Sequence, residues 1–449
     1  MEFEFLRSYF LSPTKISWLV VEEAAVSVQP LIADDARRLF DGMPPRKKLS
    51  SALRVSSADR IGSLPDSFLH QLLSFLPAQE AMQTCVLARR WRHLWRSTTG
   101  LRIDDDGYYN FQDLRKFVDH LVFLRERTDL DTVEIKLGIP WDDDDVQHCV
   151  NLWIRFAVMC KVRVLNLDIY EFGHCLNDQP LVSRHLRTLN LHLVTLPETF
   201  LDFASCPALE DLKMANCDIL ASKISSRSLK HLGITDCCSD LDYRFCVSTP
   251  GLVSLKIVGF VGKTPFLENM ALLETAYVEF DKDCEDVCLK YESGVFCGDN
   301  NDACENCVPI KDDCSRNCVL LGGISSHAKH LKLLSESRMF IFTRDLKHCP
   351  TFSKLKTLLL NEYWCDAPDL GPLACILKNS PVLEKLTLQL CSTRSNHQVK
   401  MIGSYSSMEG PFAMSQHLKM VEVKCNVVDE RIARVLKFLT AFNIRFGFV

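Results

Sequence analysis

The fold class of this chain is decided by one short stretch near its C-terminal end, Pro381-Val382-Leu383-Glu384-Lys385-Leu386-Thr387-Leu388. It contains the pattern L-x-x-L-x-L, in which the final leucines alternate with polar residues. Such alternation is typical of a short strand that buries one of its faces. Related units begin at Leu130, Val162, Leu186, Leu209, Leu229, Leu252, Leu273, Ala328, Leu355, Leu383 and Leu418.

The spacing of these units indicates a repeat architecture. Their starts from Val162 to Leu273 lie 20–24 residues apart, which is the period of leucine-rich repeats. One unit cannot bury its own core, whereas stacked units share a continuous one. We therefore predict an α/β fold with a leucine-rich-repeat solenoid, in which a curved parallel sheet carries helices on its convex side. The alternative is that leucine-rich helices mimic the pattern.

Prolines stand two residues before the first leucine of several units. They are Pro207, Pro250 and Pro381. A proline at this position ends a preceding helix and favours an extended start of the strand.

A second pattern occupies residues 59–98. Apolar residues recur at helical spacing between Pro65, which suits a helix start, and Pro77, which ends the run: Leu64, Phe68, Leu69, Leu72, Leu73 and Leu76. A second short helix is predicted from Ala78 to Thr84, and a third from Ala88 with Trp91, Leu94 and Trp95 on one face. Three short helices cannot hide this much apolar surface, which indicates a partner.

This segment resembles the plant F-box. The residues that carry the resemblance are Asp59-Arg60-Ile61-Gly62-Ser63-Leu64-Pro65-Asp66, Leu72-Leu73-Ser74-Phe75-Leu76-Pro77 and Val86-Leu87-Ala88-Arg89-Arg90-Trp91-Arg92-His93-Leu94-Trp95. In that family, the three-helix F-box docks on a Skp-family adaptor, which bridges to a cullin that carries the ubiquitin-transfer machinery. Phe68 replaces the more usual leucine, and Ala88-Arg89 replace the more usual Ser-Lys.

The resemblance continues to the C-terminal end. Residues 358–365 and 380–388 are similar to plant F-box proteins with leucine-rich repeats, especially those of grasses, and residues 417–439 are similar to their C-terminal FBD segment. The implied domains are a weakly ordered or disordered tail (1–58), the F-box (59–98), a linker helix (99–129), the repeat array (130–410) with a cysteine-rich acidic insertion (281–320), and an FBD-like segment (411–449).

The resemblance also implies which residues bind the adaptor. The expected set is Leu64, Pro65, Leu69, Leu72, Leu73, Leu76, Pro77, Val86, Leu87, Arg90, Trp91, Leu94 and Trp95. Within it, we expect Leu64, Pro65, Leu69, Leu73 and Leu76 to face the adaptor, helped by Leu87, Trp91 and Trp95. The alternative is that some of the apolar residues of the segment form the core of the small domain: Leu64, Phe68, Leu72, Trp91 and Trp95.

Net charge, hydrophobic runs and cysteine content narrow the range of possible functions and locations. The formal net charge is −5 and gives no electrostatic signal for nucleic acid. No run approaches the roughly 20 apolar residues that cross a bilayer, so we predict no membrane association. The 21 cysteines occur without a secretory signal, which favours a reducing compartment, in the cytoplasm, the nucleus or both. The basic run Arg46–Lys48 is either an import signal or part of a solvated tail.

Two clusters of side chains contain residue types that bind metal ions. Cys304 and Cys307 have the spacing of a zinc site, and Cys314 and Cys318 could complete four thiolates. The alternative is a surface insertion with reduced thiols. The acidic run Asp142–Asp145 could bind magnesium or calcium, although adjacent carboxylates more often mark a solvated loop. We predict no cofactor.

The resulting functional hypothesis is a non-catalytic subunit. The sequence contains no G-x-S-x-G, phosphate-binding loop or H-E-x-x-H motif, and its histidines are too scattered to suggest a triad. We expect the substrate-recognition subunit of a Skp-cullin-F-box ubiquitin ligase, which binds a target protein through outward positions such as Asn166, Asn190, Lys213 and Lys256. The alternative is an adaptor-independent leucine-rich-repeat scaffold; a small ligand in the array is also conceivable.

Overall fold

The computed structural model describes residues 64–138, 145–169, 176–239, 244–268, 270–281, 284, 320–336, 342, 345–346, 349–367, 370–390, 417–425, 430–440 and 446–448. These residues belong to two compact units. The first comprises residues up to 104 together with 112–133, and the second comprises 105–111 together with residues from 134 onwards. Helices and strands are numbered below in chain order.

The first unit opens with two short α-helices, α1 (Asp66–Ser74) and α2 (Ala78–Gln83), as the sequence predicts. Pro65 precedes α1, and its carbonyl accepts hydrogen bonds from the amides of Phe68 and Leu69. The third expected helix is different, because residues 84–97 form three 3₁₀ turns, Thr84–Val86, Arg89–Arg92 and Leu94–Ser97. The extended φ of −120° at His93 separates the last two turns.

The segment predicted as a linker helix, residues 99–129, contains strand β1 (Gly100–Asp104) and helix α3 (Phe111–Leu124). From residue 112 onwards, α3 belongs to the same compact unit as α1 and α2. Side chains from all these elements line one small internal gap: Leu73, Leu76, Ala81, Trp95, Leu101 and Leu121. Arg125, also buried, donates hydrogen bonds to the carbonyls of Trp95 and Thr98. Part of the apolar excess of the F-box is therefore buried within its own unit.

The second unit contains a ladder of parallel strands that follows the predicted repeats. After β2 (Thr132–Leu137), the ladder strands are β3 (Val164–Ile169), β4 (Thr188–His192), β6 (Asp211–Ala215), β9 (His231–Thr235), β12 (Ser254–Val258), β15 (Thr275–Phe280), β16 (His330–Ser335), β17 (Thr357–Asn361), β18 (Lys385–Gln389), β19 (Met420–Lys424) and β20 (Phe446–Phe448). The inward leucines occupy equivalent positions in this ladder, so that Leu165, Leu189, Leu212, Leu232 and Leu255 are paired in register and buried.

The sequence predicts helices in the segments that return from one ladder strand to the next, and for several repeats this prediction is wrong. Between β4 and β15 they form short parallel strands, namely β5 (Thr195–Leu196), β7 (Asp218–Ile219), β8 (Lys223–Ser225), β10 (Cys238–Ser239), β11 (Cys246–Ser248), β13 (Val261–Gly262) and β14 (Phe266–Glu268). Repeat length explains the difference. Successive inward residues from Leu189 to Ala276 are only 20–23 residues apart, near the short end of the leucine-rich-repeat range, and in these repeats the returning chain is extended.

Helices occur in the second unit where more chain is available. They are α4 (Asp145–Met159), α5 (Leu321–Ser325), α6 (Gly371–Lys378) and α7 (Glu430–Thr440). Helix α6, for example, lies in the repeat that runs 28 residues from Leu358 to Leu386. Of the three prolines predicted to end a helix, only Pro381 follows one; Pro207 and Pro250 follow a turn and strand β11 respectively.

Four repeats end their ladder strand with the same turn. Leu193, Asn216, Asp236 and Gly259 each adopt a left-handed conformation, with φ between 50° and 60°. This conformation suits glycine, and asparagine and aspartate tolerate it better than most residues. The residues that follow, Val194, Cys217, Cys237 and Phe260, point into the core. The cysteines at this position thus act as small apolar residues.

The segment predicted as FBD-like contributes β19, helix α7 and β20. Helix α7 is tied to the repeats by Arg431, whose guanidinium lies 3.2 Å from Asp366 and 3.7 Å from Glu362. Burial raises the pKa of the Asp366 carboxyl, although the hydrogen bond from Arg431 opposes this shift.

Several sequence-based expectations lie outside the described residues. These are the tail 1–58 with Arg46–Lys48, most of the acidic run 142–145, and the four candidate zinc ligands Cys304, Cys307, Cys314 and Cys318. Cys284, at the start of the cysteine-rich region, is buried in the array, with its Sγ 3.7 Å from the Gly262 carbonyl oxygen. Within the part of the chain that the structure describes, no helix is long and apolar enough to cross a membrane.

Candidate functional site

Helix α1 carries two apolar stripes, and the structure buries one of them. Leu69, Leu73 and Leu76, which we call the inner stripe, are at most 8% exposed. Trp91, Leu94 and Trp95 from the following turns are equally buried. These six side chains were expected at the adaptor surface. Their burial means that they pack inside their own unit, and their contact with the adaptor stays a prediction.

The second stripe of α1 faces solvent. It consists of Leu64, Pro65, Phe68, Leu72 and Phe75, here called the outer stripe. Phe68 is 46% exposed and Phe75 is 39% exposed, whereas Leu64 and Leu72 are half-buried. The spacing of 65, 68, 72 and 75 places these residues along one side of the helix. The sequence-based prediction does not include Phe75 and names Phe68 only within the alternative core, although the helical spacing of both residues was available as a signal.

Two more exposed residues follow α2. Val86 is 57% exposed and Leu87 is 43% exposed, and both belong to the set expected to bind the adaptor. Apolar residues scattered singly over a surface are normal, but four large ones within 20 residues of a small unit form a concentration that suggests a binding surface.

Arg90 ties the segment that follows Val86 and Leu87 to the start of the outer stripe. Its Nε and Nη2 atoms donate to the carboxylate of Asp66 at 2.8 and 2.6 Å, and Nη2 also donates to the carbonyl of Leu64 at 2.5 Å. The pair is exposed, so it contributes little to stability. Its two-pronged geometry nevertheless fixes the orientation of the two segments. Pro77, also in the expected set, is half-buried at the start of α2.

The repeat unit offers a second surface, formed by the outward residues of its ladder. Asn166, Asn190, Lys213, Gly233 and Lys256 occupy equivalent positions on β3, β4, β6, β9 and β12. The next two positions in this row are Tyr277 on β15 and Lys332 on β16. The prediction that Asn166, Asn190, Lys213 and Lys256 face outwards is thus confirmed.

On this face, the ends of β3 and β4 carry a polar cluster. Asp168 accepts a hydrogen bond from Nδ1 of His192 at 2.6 Å, and Asn216 lies 3.1 Å from Nε2 of the same ring. His185, His231, His330 and His417 are exposed. Among the described residues, no three His, Cys, Asp or Glu side chains come close enough together to hold a metal ion.

Comparison with known families gives one match in each part of the chain. Residues 61–101 match the F-box domain, and residues 128–278 match the leucine-rich-repeat region of FBD-associated F-box protein At5g56370. F-box domains in general bind Skp-family adaptors, and proteins that combine them with leucine-rich repeats are typically non-catalytic receptors.

Relatives that match most of this chain are named as F-box proteins. F-box/FBD/LRR-repeat protein At5g22700 of Arabidopsis thaliana is 29% identical over 86% of this chain and 90% of its own length. MEIOTIC F-BOX protein MOF of Oryza sativa subsp. japonica is 28% identical over 74% of this chain and 72% of its own length. Together with the fold, these matches show that the chain is similar to F-box proteins with leucine-rich repeats of the FBD-associated type.

Proposed function

We propose that this chain is the substrate-recognition subunit of a Skp-cullin-F-box ubiquitin ligase, and that its outer stripe binds the Skp-family adaptor. The observation that carries the proposal is the exposure of Phe68, Phe75, Val86 and Leu87 on one small unit. A stable interface buries on the order of 1,000 Å² or more in total, with apolar anchors at its centre. The outer stripe, Val86 and Leu87 supply such anchors, while the inner stripe maintains the fold beneath them.

The repeat unit then binds the target protein. A receptor of this kind needs no catalytic group of its own, because holding a target lysine near a charged ubiquitin carrier raises their effective concentration. The row of polar side chains from Asn166 to Lys332 is the surface that we assign to target binding.

The adaptor-binding surface can be tested by charge substitution. In co-purification of the full chain with a plant Skp-family adaptor, we expect wild type to form a one-to-one complex on size exclusion. Phe68→Asp should abolish it, as should Leu64→Asp with Pro65→Ala, because a carboxylate buried in an apolar contact costs several kcal/mol. A surface substitution at an exposed position should leave the fold intact.

Phe123→Asp is the matched control. Phe123 lies on α3 of the same unit and is 84% exposed, but it is not part of the outer stripe. This variant should retain the complex at the wild-type level. If Phe68→Asp and Phe123→Asp both bind adaptor normally, the outer stripe is not the interface. If folded wild type fails to bind adaptor at all, the scaffold alternative takes its place.

A further inference from the structure

The lysines of the repeat ladder fall into two groups that differ in their partners. Most are paired with a glutamate of a neighbouring repeat. Lys230 lies 2.7 Å from Glu210, Lys329 lies 2.6 Å from Glu274, and further pairs join Lys385 to Glu422 and Lys419 to Glu384. In these pairs the glutamate neutralises the lysine, so the paired lysines have little attraction for an external anion.

Lys213, Lys256 and Lys332, which we call the lysine row, are different. All three are exposed, and none of them has a carboxylate partner among the residues that the structure describes. Lys332 lies over the ring of Tyr277, with its ammonium 5.5 Å from the ring centroid, which is the geometry of a cation–π contact. Burial and a hydrogen bond to Glu279 raise the pKa of Tyr277 to about 12, so its hydroxyl stays neutral.

The surroundings of the lysine row leave it net positive. On the outward face of β6, β9, β12, β15 and β16, the only carboxylates are Asp211 and Glu279, and Glu279 already accepts the hydrogen bond from Tyr277. His231 and His330 add donors on the same face. Gly233, between Lys213 and Lys256, has no side chain and opens the surface down to the backbone. This cationic region is distinctive on a chain whose net charge is −5.

The three lysines occupy regularly spaced positions on the ladder. Lys213 and Lys256 stand two strands apart, as do Lys256 and Lys332. Neighbouring strands are about 4.8 Å apart, so the step between lysines is about 10 Å and the whole row spans about 19 Å. A polyproline II segment rises about 3.1 Å per residue with three residues per turn, so every third side chain points the same way about 9 Å further along.

We propose that the lysine row binds an acidic peptide segment of the target protein, in extended polyproline II conformation, with carboxylates at every third position. Seven residues suffice to reach all three lysines. The proposal rests on the proposed function, since it names the chemical class of target that the repeat unit recognises. Nucleic acid is less suited to this surface, because it requires a broader basic area with accessible aromatic rings for stacking.

The test uses the full chain co-purified with its adaptor and three labelled peptides, followed by fluorescence anisotropy. One peptide carries glutamate at every third position between proline and alanine. The second replaces the glutamates by glutamine, and the third has the same composition with its glutamates adjacent. We expect the first to bind most tightly and to weaken strongly when salt is raised from about 0.1 M to about 1 M, where screening is short-ranged.

Two variants separate the lysine row from general charge. Lys213→Gln with Lys256→Gln should weaken binding of the spaced peptide by about fivefold, the loss expected for two exposed ion pairs. Lys230→Gln with Lys329→Gln removes the same charge from paired positions and should change affinity by less than about twofold. All four lysines are exposed or at the surface, so both variants should fold.

The experiment distinguishes failure of this inference from failure of the proposed function. Equal binding of the glutamate and glutamine peptides, no binding of either, or an unchanged affinity in Lys213→Gln with Lys256→Gln overturns the inference. So does tighter binding of an RNA oligonucleotide than of the spaced peptide. In all these cases an intact adaptor complex would leave the ligase role standing. Loss of the adaptor complex in wild type would instead overturn the proposed function.

Discussion

At the scale of single residues, the first unit depends on one close approach of backbone to backbone. Gly100 begins strand β1 beside the end of α1, and its amide donates to Oγ of Ser74 at 3.2 Å. A Cβ at residue 100 would lie 2.5 Å from the Ser74 carbonyl oxygen and 2.7 Å from the Ser74 Cβ. Backbone atoms cannot move aside as a flexible side chain can, so glycine is required here for space.

We therefore expect Gly100→Ala to destabilise the protein by about 1–3 kcal/mol, the usual cost of overpacking. The measurement is the urea dependence of tryptophan fluorescence, since Trp91 and Trp95 lie in the same unit. Gly138→Ala is the matched control, because its Cβ would meet nothing closer than 3.7 Å. Equal midpoints for Gly100→Ala and wild type would mean that α1 and β1 can separate at no cost.

At the scale of elements, the ladder strands are joined by ion pairs between adjacent repeats as well as by backbone hydrogen bonds. A hydrogen bond from Lys230 lowers the pKa of Glu210, and one from Lys329 does the same for Glu274. Glu384 and Glu422 show the same direction because of Lys419 and Lys385. Each exposed pair is weak alone, but the pairs recur from repeat to repeat.

These pairs predict a dependence of stability on acid. A carboxylate whose pKa is lower in the folded state stabilises the fold fully above its unfolded value, here 4.5, and loses this contribution as pH falls through the folded pKa. The free energy of unfolding should thus decline below about pH 4.5. In Lys230→Met with Lys329→Met, urea denaturation at a series of pH values should show a shallower decline.

Lys213→Met with Lys256→Met is the comparison for this experiment. It removes two lysines that have no carboxylate partner among the described residues, so the slope of stability against pH should stay as in wild type. An identical slope in both double variants would show that the ladder pairs do not contribute to acid stability.

At the scale of the whole molecule, the second unit is stabilised mainly by contacts between neighbouring repeats. Leu232 illustrates this dependence, because it is buried on β9 and stands in register between Leu212 and Leu255. In a solenoid, each repeat completes the core of the next, so damage in one is felt by both neighbours.

Leu232→Ala should cost about 2–5 kcal/mol through the cavity it leaves. Hydrogen exchange should accelerate not only in β9 but also in the flanking strands β6 and β12. Leu220→Ala, at an exposed leucine of the same array, should change stability by less than about 0.5 kcal/mol. Acceleration confined to β9 would contradict a shared core.

The sequence by itself determined the repeats, their inward leucines and the first two helices. Their signal is local periodicity: alternation marks Leu386 and Leu388 as one face of a strand, and helical spacing marks α1. The positions that face outwards, such as Lys213 and Lys256, follow from the same alternation. The family resemblance rests on these same local patterns.

Only the tertiary structure decided which apolar stripe of α1 is buried. Both stripes are hydrophobic and both repeat at helical spacing, so local sequence cannot choose between Leu69 and Phe68; packing with Trp95, Leu101 and Leu121 does. The sequence also did not reveal which glutamate pairs with which lysine. Lys230 meets Glu210, and Lys329 meets Glu274, only once the repeats are stacked in register. Contacts between residues distant in sequence carry no periodic signal, and both candidate surfaces depend on such contacts.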